Sequence, residues 1–488
     1  MHELIVPTEV GILEIMQNGS LSPNNYKKLE IKNTNQRAIS EYLDSDSPFQ
    51  KGIEPGSGAY VGKSSQVFIR NSCIDNIRFS HEKEKCIFLN PKYYDGSMVD
   101  NEDVLFCTDA NIGDCCLYIS DDDEKTMFSS GMIKLNFKDQ HKKYYVMGLM
   151  RDGYFREQLK AATPKGSTIK HSGDLFLHCL IPDCPYDWIY SLMENLVKNI
   201  AYTEHICDLK LRLTEKKISD EIIKKEYDYI NPSIQLLLSK ARLDSGVYSN
   251  QVFQWKSNVE NYCNGCSNLE DFGFKLKRGP NLAKRDLGRS IQTKRFKKGY
   301  SLLIYPSDIS SSGFINEVSY LGARNPIWYL GKSDILFSAE GTIGKTFIVC
   351  DDTMRFTTNF HGTIISPITS DIPLHKSIFI GLYLNYLRSN EVLTKMSVGA
   401  NGGSFAVGYW DNIIIPNVPD SFMDELAEIY NNNTILNPAI FNQSAIKLAG
   451  IYQLNNFLIR CKALLDEICN DLKSDSVKTE DYYKQFFE

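Results

Sequence analysis

The strongest constraint on the fold of this chain is an internal repeat. The segment DVLFCTDANIGDCCLYIS begins at Asp103, and DILFSAEGTIGKTFIVCD begins at Asp334. When the two are aligned without gaps, Gly113 falls on Gly344. Each copy contains an acidic residue, a short apolar run, a turn with Ile-Gly and a second apolar run. This pattern predicts a hairpin in which the two glycines are structural turn residues that need a positive φ or close packing.

The second copy also has part of a nucleotide-binding phosphate loop, because Gly344-Lys345-Thr346 follows an apolar strand. A phosphate loop needs a glycine where this chain has Ala339, and it opens a helix whose backbone N–H groups bind phosphate. The residues that follow, TFIVCDD, predict a second strand instead. The first copy has Asp114 at the position of Lys345, so the lysine is not part of the repeated unit. We therefore reject a nucleotide site here.

The repeat continues downstream of the hairpin. FSSGMI aligns with NFHGTII, and PKGSTIKHSGDLFLHCLIP aligns with ANGGSFAVGYWDNIIIP, with small insertions between the segments. The repeated unit spans roughly 170–180 residues, which is an ordinary domain size. We expect a mixed α+β fold with two similar globular domains, at 1–184 and 246–418. A helical segment follows each domain, at 185–245 and 419–488.

Each helical segment carries an apolar stripe at helical spacing, around Leu192 and Leu196 in the first and Leu454 and Leu458 in the second. One interpretation is that each helix packs on its own domain. We favour a second, in which the two segments pair as an antiparallel coiled coil between the domains, because both occupy the same place in the repeat. The second segment contains Pro438, which excludes one unbroken helix.

Composition places the chain among soluble globular proteins. Of its 488 residues, 42% are hydrophobic and 23% charged, and the net charge is −6. The N-terminus lacks a secretory signal pattern, and the longest apolar stretch is too short to span a bilayer, so we expect a cytoplasmic protein. Cys263 and Cys266 have metal-knuckle spacing without a second ligand pair, which favours two free loop cysteines over a metal site.

The repeated stretches resemble the DNA-specificity subunit of Type I restriction–modification systems over nearly the whole chain. The resemblance is carried by SDILFSAEGTIGKTFIV and EDVLFCTDANIGDCCLY, by GGSFAVGYWDNIIIP and KGSTIKHSGDLFLHCLIP, and by KGIEPGSGAY followed by VFIRNSCI. The chain departs from the family after its last strands, where it has IPDCPYDW and IPNVPDSF in place of Pro-Leu-Pro-Pro and a glutamine. The docking surface for partner subunits is therefore expected to differ from the common form.

The resemblance implies a specific set of partners. Two target-recognition domains would each contact one half of a bipartite site in double-stranded DNA, and the helices would set the gap between the halves. The chain would dock methyltransferase subunits, expected to number two, and restriction subunits. It would be non-catalytic and need no cofactor, because S-adenosylmethionine, ATP and Mg²⁺ are expected on the partner subunits.

The most basic stretch of the chain, residues 275–298, is the main candidate for DNA contact. It contains ten Lys or Arg and one acid, Asp286, in a chain of net charge −6. Such density favours phosphate binding over an ordinary solvated surface. The candidates include Arg278, Lys284, Arg285, Arg289, Lys294, Arg295, Lys297 and Lys298, in addition to Lys275 and Lys277. We expect them to set affinity rather than sequence choice.

Base contacts should come from polar residues on loops. In the second copy the candidates are Arg324, Asn325, Asn401 and Ser404, and in the first copy Lys165, Ser167 and Lys170. Lys345 is instead expected to contact a DNA phosphate, and the first copy has a thinner set of cations in place of the basic run, Arg70, Lys160, Lys165 and Lys170. For any one of these residues, a role in shaping a turn is about equally well supported by the sequence.

Two other functions fit parts of the sequence. An adenine methyltransferase would need a catalytic loop, for which IFLNPKYY is a candidate, but Lys92 replaces its second proline. The segment EPGSGAY lies too close to that loop for the βαβ units of a nucleotide-binding fold to fit between them. The second alternative is the specificity module of another phage-defence methylation system, which would also recognise a bipartite site.

Overall fold

The structure is a computed structural model. It describes residues 3–5, 7–18, 21, 26–93, 98–120, 125–163, 172–222, 227–229, 231–240, 242–398 and 403–487. Within these ranges the chain alternates short strands with helices of very different length, from four residues in α7 to 35 residues in α4. The predicted mixed α+β class with two sheet-bearing globular domains is confirmed.

The first half of the chain is rich in strands and ends in a long helix. Its elements are β1 (Glu3–Ile5), α1 (Ile12–Asn18), β2 (Lys28–Glu30), β3 (Gln36–Ala38), β4 (Phe49–Lys51), β5 (Tyr60–Val61), β6 (Gln66–Ile69), β7 (Ile87–Leu89), β8 (Val104–Cys107), β9 (Cys115–Leu117), β10 (Lys125–Phe128), β11 (Met132–Leu135), α2 (Lys142–Met150), α3 (Gly153–Ala162), β12 (Leu180–Pro182) and α4 (Asp187–Glu221).

The second half repeats this plan and ends in several helices. Its elements are α5 (Ile234–Lys240), α6 (Asn250–Glu260), β13 (Cys266–Ser267), β14 (Phe274–Arg278), α7 (Lys284–Leu287), β15 (Ser290–Thr293), β16 (Ser301–Leu303), β17 (Ser319–Ala323), β18 (Ile335–Phe337), β19 (Thr346–Ile348), β20 (Phe356–Thr357), β21 (Thr363–Pro367), α8 (Leu374–Ser389), α9 (Val392–Met396), β22 (Ile415–Pro416), α10 (Asp420–Tyr430), α11 (Gln443–Leu448), α12 (Ile451–Lys473) and α13 (Glu480–Lys484).

The chain divides into two compact units, and the boundaries at 205/206 and 459/460 fall inside helices α4 and α12. Unit 1 comprises Met1–His205, Asn437–Gln443 and Arg460–Glu488, and unit 2 comprises Ile206–Leu436 and Ser444–Ile459. Helix α4 therefore contributes residues to both units, and so does α12.

The two units have the same sheet topology. A hairpin sheet, antiparallel throughout, has the order β4-β11-β8-β9 in unit 1 and β14-β21-β18-β19 in unit 2. A mixed sheet has the order β10-β6-β7-β5 in unit 1 and β20-β16-β17-β15 in unit 2, with the first pair parallel in each. Each unit also has a two-stranded pair, β12-β3 or β22-β13, and unit 1 has a further pair, β1-β2. The duplication seen in the hairpin sequence thus extends to the whole domain.

Strands β8 and β18 of the hairpin sheet are continuous apolar runs because both faces of the sheet are covered there. All four residues of β8 and all three of β18 are buried. In unit 2, Phe347 of β19 contacts Phe356 of the mixed sheet, with ring centroids 5.0 Å apart. Helix α8 covers the other face so closely that a Cβ added to Gly381 would lie 2.6 Å from Ile348. Burial on both faces replaces the alternating pattern expected of a half-exposed strand.

In unit 1, segments of α4 and α12 run antiparallel. A Cβ added to Gly148 of α2 would lie 2.6 Å from Met193 of α4 and 3.5 Å from Leu465 of α12. Glu204, further along α4, lies 2.9 Å from Lys462, which comes earlier in α12. As the residue number rises along α4, the number of the α12 residue at the same level falls, which is the arrangement of antiparallel helices.

The helix segments also pack on the globular part of their own unit. In unit 1, Glu204 accepts hydrogen bonds from the backbone N–H groups of Phe79 (2.7 Å) and Ser80 (2.9 Å). In unit 2, Asn455 of α12 accepts a 2.6 Å hydrogen bond from the backbone N–H of Ile315. Each of the two interpretations of the helical segments therefore describes part of the packing.

The end of the chain is not one continuous helix, as Pro438 predicts. Helix α10 ends at Tyr430, and the next helix, α11, begins at Gln443. Asn195 and Asn199 of α4 donate hydrogen bonds to backbone carbonyls of this connection in unit 1, including 2.9 Å to Ala439. Side-chain amides on α4 thus replace helical hydrogen bonds for part of the non-helical backbone.

Candidate nucleic-acid interface

The turn that contains Gly-Lys-Thr joins two strands. β18 and β19 pair antiparallel, with Phe337 opposite Thr346, so no helix begins after Lys345. Gly344 has φ 93°, and a Cβ there would lie 2.7 Å from Leu393. Gly113 in unit 1 has φ 88° in the matching turn between β8 and β9. Both glycines thus occupy backbone conformations that other residues rarely adopt.

One end of the hairpin sheet gathers most of the candidate loops of unit 2. Arg278 lies opposite Thr363, Thr363 opposite Phe337, and Phe337 opposite Thr346, so the four strands end in a row. The segments that continue from this row are 279–283, 358–362 and 338–345. We call this edge, with the loops at it, the loop end of unit 2, and we use the same term for the matching edge of unit 1.

The Gly-Ser loop joins the same edge. The backbone N–H of Phe405 donates to the carbonyl of Ala339 (2.8 Å), and that of Gly341 donates to the carbonyl of Gly403 (3.2 Å). Ser404, an exposed residue, pairs through its backbone with Val398 and Glu340. The hairpin turn and the Gly-Ser loop, which the sequence places about 60 residues apart, therefore form one surface.

The basic run lies across two edge strands of unit 2. It starts on β14 at the edge of the hairpin sheet, passes through α7 and continues on β15 at the edge of the mixed sheet. All ten of its Lys and Arg residues are exposed. Edge strands whose exposed side chains are cationic resist pairing with other strands, so a basic edge also has a structural use.

Some of these cations have neighbouring partners. Lys294 forms an ion pair with Glu317 at 2.6 Å, and Arg285 one with Asp286 at 3.4 Å. The carboxylates of both pairs are about half exposed, at 49% and 45%. Pairs so open to solvent are weak, so a phosphate can displace the carboxylate at little cost.

Arg324 and Asn325 lie directly against the basic run. The backbone N–H of Arg324 donates to the carbonyl of Arg289 (3.0 Å), and the side-chain amide of Asn325 donates to the carbonyl of Asp286 (2.9 Å). Both side chains are exposed. Arg324 is therefore placed to contact a ligand bound along the run, whereas the amide of Asn325 already stabilises a turn.

Other sequence candidates have different surroundings. Lys345 is half-buried, and its carbonyl accepts a 2.9 Å hydrogen bond from Ser338. Arg70 in unit 1 is half-buried, with its guanidinium 6.0 Å from the centre of the Tyr60 ring. Lys165, Ser167, Lys170 and Asn401 lie outside the described residues.

The loop end of unit 2 also contains exposed residues that the sequence did not single out. Phe360 is 46% exposed and its ring lies against that of His361, with ring centroids 3.9 Å apart and the planes tilted by 39°. His361 lies 3.6 Å from the carboxylate of Glu340 across the edge. Both residues belong to NFHGTII, which the sequence identifies as part of the repeat. Their position beside the hairpin turn follows from the pairing of β21 with β18, which the sequence does not show.

A second glycine is shared by the two loop ends. Gly52 follows β4 and Gly279 follows β14, and a Cβ on either would lie within 2.3 Å of a backbone carbonyl oxygen, that of Ser129 or Asn359. Both follow a basic residue, Lys51 or Arg278, at the end of the edge strand. In the sequence, the equivalence of KGIEPGSGAY and the start of the basic run is indicated by this shared pair of a basic residue and a glycine.

The loop end of unit 1 carries more acidic groups than that of unit 2. Glu54 accepts a 3.0 Å hydrogen bond from the hydroxyl of Ser130, and Asp114 forms a 2.6 Å ion pair with Arg156 of α3. Burial raises the pKa of Asp114 above its ordinary value, against the opposing effect of Arg156. Asn71 holds the turns together by donating to the carbonyl of Asp109 (2.6 Å).

The comparisons with known proteins found matches among solved structures alone. No protein-family model matches the sequence, and no curated protein matches it. This chain is similar to the Type-I restriction-modification system S subunit from M. genitalium, at 12% identity with a TM-score of 0.40, over 91% of this chain and 96% of that one. It is also similar to the HsdS subunit from Thermoanaerobacter tengcongensis, at 12% identity with a TM-score of 0.24, over 92% and 93% of the chains.

A third match is a chain from a structure that addresses complex assembly and conformational transition of the type I R-M system. It is 13% identical, with a TM-score of 0.27, and the match covers 91% of this chain and 98% of that one.

The geometry does not favour the methyltransferase alternative. Asn90, in the candidate catalytic loop, accepts a 3.2 Å hydrogen bond from the backbone of Lys92 within its own turn. Neither four-stranded sheet of unit 1 is the parallel, doubly wound sheet on which a nucleotide-binding fold is built. Across the described ranges, no group of three or more His, Cys, Asp or Glu could hold a metal ion, and no helix could cross a membrane.

Proposed function

We propose that this chain is the DNA-specificity subunit of a Type I restriction–modification complex, in which each unit contacts one half of a bipartite site in double-stranded DNA. The observation that carries the proposal is the duplication of a two-sheet domain in which one copy presents ten exposed Lys and Arg in a segment that includes two edge strands. Two similar domains in one chain are suited to two similar half-sites.

Phosphate and base contacts would come from different residues of unit 2. The basic run would neutralise backbone phosphates and release counterions, which supplies affinity on any sequence. Arg324, Glu340, His361 and Ser404 are exposed beside that run or at the loop end, where their polar groups could meet base edges. Arginine suits guanine, and a glutamate carboxylate suits the amino group of cytosine.

The chemistry would be done by partner subunits. The resemblance of the repeated sequence stretches to the family leads us to propose that the chain docks two methyltransferase subunits, and restriction subunits with them. S-adenosylmethionine, ATP and Mg²⁺ would bind those partners, while this chain would supply recognition without a catalytic step of its own.

Methylome sequencing of the host with the gene intact and with the gene deleted tests this proposal. The expected result is a methylated motif of two short blocks separated by a fixed number of unspecified bases, which disappears in the deletion. A methylome that is unchanged by the deletion would contradict the proposal.

One observation supports a second candidate, a specificity module of another phage-defence methylation system. The segment between α10 and α11 interrupts the helical tail, and the family resemblance implies that the helices dock the partner subunits. Co-purification separates the two: the main proposal predicts a methyltransferase of the Type I class bound to the chain, and the second predicts a methyltransferase of another class.

A further inference from the structure

A cleft of about 540 Å³ lies in unit 1 beside the turn between β8 and β9. Three cationic side chains line it, from Arg151, Arg156 and Lys160, along with the polar residues Asn76 and Thr163. Glu157 is the carboxylate on its wall. The cleft therefore has an excess of positive charge and several hydrogen-bond donors, which is the composition of a site for an anion.

Arg151 is fixed in the wall of this cleft and keeps one donor unused. Its guanidinium lies 4.1 Å from the centre of the Phe79 ring, and one terminal nitrogen donates a 2.5 Å hydrogen bond to the carbonyl of Cys115. Its second terminal nitrogen is buried and has no hydrogen-bond acceptor in the described part of the chain. A buried donor without an acceptor is costly, so a small shift of the guanidinium that brings this nitrogen to a ligand oxygen in the cleft would remove that cost.

Arg156 and Lys160 add charge from one face of α3. They are four residues apart, so their side chains project from the same side of the helix. Arg156 is held by a 2.6 Å ion pair with Asp114 through one terminal nitrogen, and Lys160 is exposed at the rim. A guanidinium carries five N–H donors, so Arg156 can keep this ion pair and still bind an anion.

We propose that this cleft is a phosphate-binding site, and that in the complex with DNA it holds a backbone phosphate at the half-site of unit 1. The assignment of the phosphate to DNA rests on the proposed function. The segment of unit 1 that matches the basic run, residues 51–63, has just two cations, Lys51 and Lys63, and one acid, Glu54. Unit 1 thus needs a phosphate contact elsewhere at its loop end, and the cleft lies beside a turn at that end.

A free phosphate compound is the other source of the same chemistry. The test therefore uses the full chain with two probes, a fluorescently labelled DNA duplex selected by the wild-type protein from a random pool, and inorganic pyrophosphate measured by calorimetry. The variants are Lys160→Glu, which reverses charge at the rim, and Glu157→Gln, which removes the like-charged neighbour of the anion. Lys138→Glu is the matched control, because Lys138 is exposed in unit 1 beyond the opposite end of the hairpin sheet.

The expected result is a loss of DNA affinity of about three- to tenfold in Lys160→Glu, with a salt slope smaller by roughly 0.9. Glu157→Gln should bind DNA more tightly than wild type at low salt, and Lys138→Glu should match wild type. All three should keep the wild-type melting temperature, since the substituted side chains lie at or near the surface. If Lys160→Glu and Lys138→Glu bind DNA and pyrophosphate equally well, the proposal is overturned.

The two probes keep this inference separate from the proposed function. Suppose that wild type binds pyrophosphate and Lys160→Glu does not, while both bind DNA equally well. This result would support the phosphate site and overturn its assignment to DNA. A wild-type chain that binds no DNA contradicts the proposed function, and the pyrophosphate result alone then decides whether the cleft binds phosphate.

Discussion

Units 1 and 2 share a backbone plan and differ in the charge of their loop ends. Strand order, the turn glycines and the parallel pair of the mixed sheet are the same in both. The edge of unit 2 that contains Arg278 and Arg289 is strongly basic, whereas the matching segment of unit 1 contains Glu54 and few cations. The backbone conformation of the turns at Gly113 and Gly344 is the same in both units. The exposed side chains around these turns differ, and they determine what each unit can bind.

The position after each turn glycine shows this difference in one residue. Unit 2 has Lys345 there, and unit 1 has Asp114, which binds Arg156 of α3. A cation is thus present beside both turns, but it comes from the hairpin in unit 2 and from a helix in unit 1. Two units with the same backbone plan can therefore place a cation beside the same turn from different elements.

The largest expected effect comes from removing the charge that distinguishes unit 2. The triple variant Arg285→Glu, Arg289→Glu, Arg295→Glu should bind any DNA sequence on the order of 1,000-fold more weakly at low salt, because repulsion replaces attraction to the phosphates. Its salt slope should fall by roughly 0.9 for each phosphate that the variant no longer neutralises. Fluorescence anisotropy across a salt series measures both quantities.

The matched control reverses three exposed lysines of unit 2 outside the basic run, Lys216, Lys332 and Lys447. It carries the same change in net charge and should lose much less affinity. Equal reductions of affinity in the two triple variants would mean that net charge, and not the basic run, determines binding.

The shared turn glycines should differ in how well they tolerate a side chain. At Gly344, an alanine would have a strained φ, and its Cβ would lie 2.7 Å from Leu393, so we expect a loss of about 2–4 kcal/mol in the free energy of unfolding. At Gly113 the nearest atom is 3.2 Å away, on Leu159, so strain dominates and the loss should be about 1–2 kcal/mol. Urea denaturation of the two alanine variants would reveal the order, and the reverse order would refute this account of the turns.

A substitution at the loop end of unit 2 should change which bases are recognised without changing the overall affinity for DNA. Glu340→Ala removes a carboxylate at the loop end and should reduce discrimination between sequences by about 1–3 kcal/mol at one base position. Binding to unrelated DNA should hardly change, since a carboxylate does not bind phosphate. Selection of sequences from a random pool by variant and wild type checks this. A uniform loss of affinity without a change in the selected motif would argue against a base contact.

The smallest effect concerns the residue that differs between the two turns. Lys345→Asp gives unit 2 the residue of unit 1 and should weaken DNA binding by about three- to tenfold, with a salt slope smaller by roughly 0.9. Lys345→Met is the companion variant, because it keeps the apolar stem of the half-buried side chain and removes the charge alone. If both variants bind like wild type, Lys345 serves the packing of the turn and makes no phosphate contact.

The sequence allowed correct prediction of the features that depend on local pattern. The hairpins, the strand after Lys345 and the interruption near Pro438 all follow from periodicity, β-propensity and proline geometry. The equivalence of the mixed sheets was missed, because KGIEPGSGAY and RGPNLAKRDLGRS have little in common beyond the glycine after a basic residue.

Most of the candidate site could not be predicted because it depends on contacts between distant parts of the chain. Phe360 and His361 reach Glu340 through the pairing of β21 with β18, and the cleft of unit 1 needs α3 to lie against the β8–β9 turn. A basic run can be identified from the sequence. A single cation on a helix, such as Arg156, can be identified as a candidate for phosphate contact only when its neighbours in the structure are known.

The central claim is that the two units contact two separate half-sites. Hydroxyl-radical footprinting of the full chain, with any methyltransferase that co-purifies, on DNA selected from a random pool tests it most directly. We predict two short protected blocks separated by bases that the selection leaves unspecified. At a protein concentration raised until the Arg285→Glu, Arg289→Glu, Arg295→Glu variant occupies the site, protection should be weakened in one block alone. A single continuous block, or equal weakening of both blocks, would contradict the account.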